Sequence, residues 1–446
     1  MDICISSNRF PETVRIPASK SHTIRQLFIA LLADGYTKIY NPLDCYDTNS
    51  CISACKELGA NISLCCDDNE NIYWNVKGVN GFKDQFDLYK QNLNDQLFNK
   101  SFNIDVGNSG TTLYLALAVA GLQLYNINFT GDRQIQKRSA APLLDALANL
   151  GVQVQSKEGC VPILIKGAWK GGKVSISCPT SQYLSALLIA APIAPSGTVT
   201  EIDVPLLNEK PYVEMTLSYL KAHDIPFEAA PDFSHFKIPG GSSWKVLPQK
   251  KSVPADFSSA AFPAAAAAIT GGPVTLHGLD PQDTQGDKFF FEMLSEMGCD
   301  ITWNGKKGEE RSITVSRKGA LCGKTFDLNA TPDLLPAAAV VAAFAEGDTT
   351  LANVANARIK ETDRIAVMAG ELAKLGVNNT ELPDGLIVHG KGKIRPVGGE
   401  VLIDGHGDHR IVMAFSVAAL GSPVPFKITT AESAAVTYPG FFELFS

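Results

Sequence analysis

Ser19–Gly35 reads SKSHTIRQLFIALLADG. A small, polar opening leads into an apolar run and ends at glycine, the pattern of a capped helix closed by a turn. It returns five times: NSGTTLYLALAVAG from Asn108, TSQYLSALLIAAPIAPSG from Thr180, DFSSAAFPAAAAAITGG from Asp256, TPDLLPAAAVVAAFAEG from Thr331 and DHRIVMAFSVAALG from Asp408. The copies are spaced by roughly 70–90 residues, longer than solenoid repeats, so each marks a supersecondary module with its own sheet. The runs are apolar on nearly all sides, which predicts helices buried inside the fold. A second family interleaves with the first: ELGANI from Glu57, NLGVQV from Asn149, EMGCDI from Glu296 and KLGVNN from Lys374, with LKAHDIPF from Leu220 a looser fifth copy. Here glycine ends an amphipathic helix and the next residues read as a strand. Three buried helices wrapped by sheets make one domain, and six modules predict two similar α/β domains.

The composition agrees with this size. The chain has 446 residues, 45% of them apolar, and two domains is the default expectation. A net charge of −7 does not invite nucleic acid or anionic membrane, so any basic residues that hold anionic substrates must be concentrated locally. The start, MDICISSNRF, lacks a signal-peptide pattern, and no apolar stretch reaches the roughly 20 residues of a membrane helix. Ten cysteines without a secretion signal predict thiols in a cytoplasm, and the lack of spaced ligand pairs argues against a metal. Each helix opening alone reads as an ordinary cap. Six openings, several with Lys, Arg or Gln in the first turn, would place unpaired N–H groups and positive charge where anions bind.

Several of these openings resemble motifs of the EPSP synthase family of enolpyruvyl transferases. The segments are PASKSHTIR (Pro17–Arg25), GNSGTT (Gly107–Thr112), TGD followed by Lys137-Arg138, TSQY (Thr180–Tyr183), TPD (Thr331–Asp333), RIKETDR (Arg358–Arg364) and GDHR (Gly407–Arg410). They keep the family's order and span nearly the whole chain. The resemblance implies an α/β (α+β) fold of two similar domains, an inside-out barrel. Each domain is built from three βαβαββ repeats around buried parallel helices. It places residues 1–20 with 251–446 in the C-terminal lobe and 21–250 in the N-terminal lobe.

The resemblance also implies a reaction and a site. The enolpyruvyl group of phosphoenolpyruvate passes to the 5-hydroxyl of shikimate 3-phosphate, and phosphate leaves. No metal or organic cofactor is implied. The partners are these two small molecules, without nucleic acid or membrane, and a monomer is expected. Asp333, Glu361 and Lys20 take the catalytic positions. Shikimate 3-phosphate is expected at Lys20, Ser21, Arg25, Thr180, Ser181, Gln182, Tyr212, Asp333, Asn356 and Lys360. Phosphoenolpyruvate is expected at Lys20, Asn108, Gly110, Arg138, Gln182, Arg364 and Arg410. Ser21 and Arg25 lie one turn apart and share a helix face, although Arg25 could also serve a surface ion pair. For Tyr212, half-buried packing is the alternative. Asp408 and His409 are expected to organise Arg410, and Asp256 reads as supporting structure.

Three positions depart from the family pattern. Tyr114 stands where many members carry arginine, Glu209 where a small hydroxyl residue contacts phosphate, and Glu432 where some members place lysine. Lys427 is expected to substitute in part for that missing lysine. Three other readings compete. The UDP-N-acetylglucosamine enolpyruvyl transferases share the fold and chemistry but place a reactive cysteine on the loop matching TGDRQIQKRSAAP, which has none here. An RNA 3′-terminal phosphate cyclase would call for a basic strip, against the acidic net charge. The third reading is a non-catalytic relative. His406 and His409 form an H-x-x-H pair, but no third metal ligand is apparent nearby.

Overall fold

A helix with no polar face must be enclosed by other elements, and the six repeated runs are. The computed structural model describes residues 1–6, 9–83, 100–247, 252–306 and 310–446. They divide into two compact units, Ser19–Val253 and Met1–Ala18 together with Pro254–Ser446. The family resemblance implied crossings near 20 and 250. Ser19 and Lys20 group with residues 19–253, since they open a helix buried in that unit.

In the unit of residues 19–253, the core is made by helices Lys20–Leu32, Gly110–Ala120 and Ser181–Ala190. Every residue of Gly110–Ala120 except Thr111 is buried. In the other unit, helices Phe257–Thr270, Leu335–Ala343 and His409–Ala419 pack against one another. All of Leu335–Ala343 and all of His409–Ala419 are buried, including His409 and Arg410 at the start of the latter. Each fully buried Leu or Phe contributes roughly 1.5–3 kcal/mol, so the helix starts are held firmly by the apolar turns behind them.

Among the described residues each unit carries three sheets. The complete module pairs two strands in parallel across the buried helix and then adds two antiparallel strands. Ser101–Asp105 runs parallel to Asn126–Thr130, which is antiparallel to Cys160–Lys166, itself antiparallel to Gln153–Lys157. Gly172–Cys178, Val199–Leu207, His235–Pro239 and Glu228–Ala229 repeat the order. So do Thr13–Arg15, Val274–His277, Ser312–Ser316 and Asp300–Asn304 in the other unit. The predicted glycine turns are present: Gly59, Gly151, Gly298 and Gly376 have φ of 109°, 99°, 108° and 70°. In the looser fifth copy Asp224 takes this place, with φ of 54°.

Two of the six modules depart from the repeat among the described residues. The strand ahead of the Lys20 helix, Thr13–Arg15, belongs with Val274–His277 to the unit of Met1–Ala18 and Pro254–Ser446 and pairs there. Tyr36–Tyr40 pairs antiparallel with Ile72–Lys77, and its parallel side carries a single bridge, from Tyr40 to Ser252. At the far end, Val401–Ile403 and Phe426–Ile428 pair in parallel, and the N-terminal strand Ile3–Ile5 closes that sheet. Short 3-10 turns, Ala431–Val436 and Phe441–Phe445, stand where other modules have their second helix. Among the described residues no helix is long and apolar enough to cross a membrane.

Candidate active site

The predicted site residues fall into two sets, one in each unit. In the unit of residues 19–253, Lys20 is the first residue of its helix, and its Nζ lies 2.9 Å from the buried Oδ2 of Asp47. Arg25, one turn further on, is only 1% exposed. Its guanidinium donates to Thr216 Oγ1 (2.9 Å), Ser21 O (3.1 Å), Ser185 Oγ (3.2 Å) and Tyr212 O (3.2 Å). No carboxylate is among these acceptors, so the surface ion pair is replaced by a buried cation on neutral groups. Burial pulls its pKa down to about 10, which leaves it charged at neutral pH. An arginine has five N–H donors. Four are used here, and one on Nη1 remains for a ligand.

Asn108, Gly110, Arg138 and Gln182 come together although they span two modules. Arg138 Nη2 donates to Asn108 Oδ1 at 3.1 Å, and Asn108 Nδ2 donates to Gln134. A methyl group on Gly110 would lie 3.1 Å from Arg138 Nη1 and 3.9 Å from Gln182 Oε1. The missing side chain is what lets the guanidinium approach the start of that helix. Gln182 Oε1 is buried without a hydrogen-bond partner among the described residues, an acceptor suited to a ligand hydroxyl. Thr180 caps the Ser181–Ala190 helix, accepting from Gln182 N. Thr180 and Ser181 both face Glu209. Tyr212 is half-buried and contributes its carbonyl to Arg25 and to Thr216.

In the other unit, Asp333 lies in the 3-10 turn Pro332–Leu334, just ahead of the Leu335 helix. Its Oδ1 accepts from Arg364 Nη1 at 2.8 Å, and its Oδ2 from Arg410 Nη2 at 3.0 Å. Lys360 Nζ is 3.8 Å away. Arg364 is 1% exposed; it also donates to Glu361 and, through Nε at 2.8 Å and Nη2 at 3.2 Å, to both oxygens of Asp408. Three cations and three carboxylates thus meet in one cluster. Burial alone would raise the Asp333 pKa, but Arg410, Lys360 and Arg364 together outweigh it and hold the carboxyl well below the usual range. Asp408 is lowered in the same way: burial opposes ionisation and Arg364 overcomes it. For Arg364 burial favours proton loss, while Asp408, Glu361 and Asp333 raise its pKa above the ordinary value. Asn356 is buried in the 3-10 turn Ala355–Ile359.

One sequence expectation is corrected here. Asp408 grips the guanidinium of Arg364, and to Arg410 it supplies the helix cap at the backbone N–H (2.9 Å). The Arg410 guanidinium is held by Asp333 and by Ser258 Oγ at 3.2 Å. Ser258 in turn donates to Asp287. Sequence reasoning missed Asp47, Ser258, Asp287 and the true role of Asp408. Ser258 lies 152 positions from Arg410, and no spacing could announce that contact. The H-x-x-H pair diverges: His406 lies 3.5 Å from Glu371, whereas His409 is 3.8 Å from Asp408. Among the described residues no group of three or more His, Cys, Asp or Glu could hold a metal ion.

Two of the three departures, Tyr114 and Glu432, and the substitute Lys427 have partners of their own. Tyr114 packs edge-to-face on Tyr183, with centroids 4.9 Å apart. Glu432 pairs with the amino group of Met1 at 2.6 Å, and Lys427 pairs with Asp2 at 3.2 Å.

Residues 6–445 match the family described as EPSP synthase (3-phosphoshikimate 1-carboxyvinyltransferase). A 3-phosphoshikimate 1-carboxyvinyltransferase of Acetivibrio thermocellus is 43% identical over 436 residues, covering 97% of this chain and 95% of the relative. That of Ruminiclostridium cellulolyticum is 40% identical over 433 residues, covering 97% and 94%. Among solved structures, an EPSP synthase from Acinetobacter baumannii superposes with a TM-score of 0.76 at 28% identity, covering 99% of this chain and 97% of that one. The enolpyruvyl transferase NikO from Streptomyces tendae has a TM-score of 0.72 at 18% identity over 100% and 96% of the two chains, a likeness of fold alone. With the motifs in order, the modules folded and the family match running nearly end to end, the chain belongs to the EPSP synthase (3-phosphoshikimate 1-carboxyvinyltransferase) family.

Proposed function

We infer that this chain transfers the enolpyruvyl group of phosphoenolpyruvate to the 5-hydroxyl of shikimate 3-phosphate. The products are 5-enolpyruvylshikimate 3-phosphate and inorganic phosphate, a step of the shikimate pathway toward chorismate and the aromatic amino acids. The reaction takes place in the cytoplasm, by a monomer, and calls on no metal or cofactor.

One observation carries the mechanism: two arginines, Arg364 and Arg410, hold the same carboxylate, that of Asp333. In this arrangement Asp333 is ionised but a weak base, because cations stabilise its charge. A phosphoenolpyruvate carboxylate offers both arginines an equivalent partner, since a guanidinium pairs readily with any carboxylate. As the ligand takes the arginines, Asp333 loses that stabilisation and its proton affinity rises. It then accepts the proton of the 5-hydroxyl as that oxygen adds to C2 of phosphoenolpyruvate. Glu361, released from Arg364, takes up a proton from solvent, gives it to C3, and later takes a proton back from that carbon as phosphate departs. Such positioned proton transfer contributes typically 10²–10⁴-fold.

We assign the remaining roles from the two local clusters. Lys20, Asn108, Gly110, Arg138 and Gln182 receive phosphoenolpyruvate, with Lys20 exchanging Asp47 for the phosphate that leaves. Ser21, Arg25, Thr180, Ser181, Gln182, Tyr212, Asn356 and Lys360 receive shikimate 3-phosphate. The test is phosphate release. Purified protein mixed with phosphoenolpyruvate and shikimate 3-phosphate should release phosphate at a rate proportional to enzyme. Release with UDP-N-acetylglucosamine in place of the shikimate ester would overturn the substrate, and release with neither would overturn catalysis.

A further inference from the structure

We propose that Glu209 sets how tightly the chain holds the phosphate of its shikimate substrate, by occupying the donors that phosphate would use. The proposal rests on the assignment of Thr180 and Ser181 to that phosphate. One carboxylate oxygen, Glu209 Oε2, accepts from Thr180 Oγ1 at 3.1 Å, Ser181 N at 3.0 Å and Ser181 Oγ at 2.9 Å. These donors stand at the start of the ten-residue Ser181–Ala190 helix. A backbone N–H of a first helical turn flanked by two hydroxyls is an anion site. Here the anion is part of the chain.

Glu209 is built for this contact. It is 2% exposed, so its charge has little access to water. Its backbone is left-handed, with φ 58° and ψ 41°, immediately before the helix Lys210–Ala222. A non-glycine residue adopts that conformation only at a cost, and here the surrounding contacts hold it. Hydrogen bonds to an ionised acceptor are the strong kind.

A phosphate oxygen and Glu209 Oε2 cannot accept the same three hydrogen bonds together, and two anions at such range repel. The phosphate must therefore displace the Glu209 side chain, and the cost appears as weaker binding. A small hydroxyl residue at 209 would cooperate with the phosphate instead of competing with it. Glu209 thus reduces the preference for the phosphorylated substrate over shikimate itself.

Equilibrium binding by calorimetry tests this without requiring turnover. The ligands are shikimate 3-phosphate and shikimate, and the proteins are the wild type, Glu209→Ser, Glu209→Gln and Ser181→Ala. Glu209→Ser should bind shikimate 3-phosphate about tenfold more tightly, with shikimate unchanged within about twofold. Glu209→Gln keeps the size of the side chain and removes its charge; it should gain about threefold and serves if the serine variant does not fold. Unchanged or weaker shikimate 3-phosphate binding in the folded Glu209 variants, with weaker binding in Ser181→Ala, would overturn the role of Glu209 and keep the phosphate assignment. Equal tightening for both ligands would also overturn it. No change in any variant would remove the phosphate assignment and the proposal with it.

Discussion

Arg25 and Arg364 are the same side chain at the same depth, and their surroundings give them opposite properties. Both are 1% exposed, and both use four N–H donors. Arg25 faces hydroxyls and carbonyls, so burial dominates and its pKa falls to about 10. Arg364 faces Asp333, Glu361 and Asp408, whose charges overcome burial and raise its pKa. The first is a cation waiting for an anion. The second is already matched, and a ligand can win it only by exchange.

The contrast can be broken most directly with lysine at each position. Arg364→Lys cannot reach three carboxylates at once and leaves the fully buried Asp408 short of a partner. Stability should fall by about 3–5 kcal/mol, as when a buried ion pair is broken. Arg25→Lys leaves only neutral acceptors unsatisfied and should cost about 1–3 kcal/mol. Urea denaturation of both variants measures the difference, and equal losses would refute the contrast.

Asp333→Asn sharpens the exchange. The proposed general base is lost, so kcat should fall by about 10²–10⁴-fold. The competitor for Arg364 and Arg410 loses its charge at the same time. Phosphoenolpyruvate should therefore bind more tightly by about tenfold, which calorimetry reads directly. Weaker binding would show that Asp333 and the ligand do not compete.

Acid should separate the same two surroundings. The folded pKa values of Asp333 and Asp408 are depressed. Their stabilisation is therefore complete above the unfolded value near 3.9 and is lost as pH falls through the folded values. Below pH of about 4, each such group adds a slope of up to about 1.4 kcal/mol per pH unit. Asp333→Asn should flatten that acid limb relative to the wild type in urea melts at stepped pH. The lowered pKa of Arg25 acts only above about 10 and adds nothing there.

The smallest effect concerns the uncharged approach at Gly110. Its added methyl would stand 3.1 Å from the mobile end of Arg138, which can yield by tenths of an ångström. Gly110→Ala should raise the phosphoenolpyruvate KM about tenfold and leave that of shikimate 3-phosphate unchanged. Equal shifts in both would place Gly110 outside a separate phosphoenolpyruvate set.

Much of the architecture was legible because its signals are local. The six apolar runs fold as buried helices, and the glycines after the amphipathic helices adopt the predicted left-handed turns. The irregular modules were not legible, because strand pairing joins distant residues: Thr13–Arg15 reads like any strand before a helix, yet it pairs with Val274–His277. The site divides the same way. Arg364, Arg410 and Asp333 stood out by motif, but the Ser258–Asp287 support of Arg410 carried no signal.

The sequence by itself determined the repeat, the buried helices, the two-domain division of a 446-residue chain and the identities of the groups at the helix starts. Those properties follow from periodicity and side-chain chemistry, which act over a few residues. Only the tertiary structure decided which carboxylate each arginine holds, and that Glu209 fills the donors of Thr180 and Ser181. Electrostatic partnership depends on distance in space and on exclusion of water, and neither is written in the order of residues along a chain.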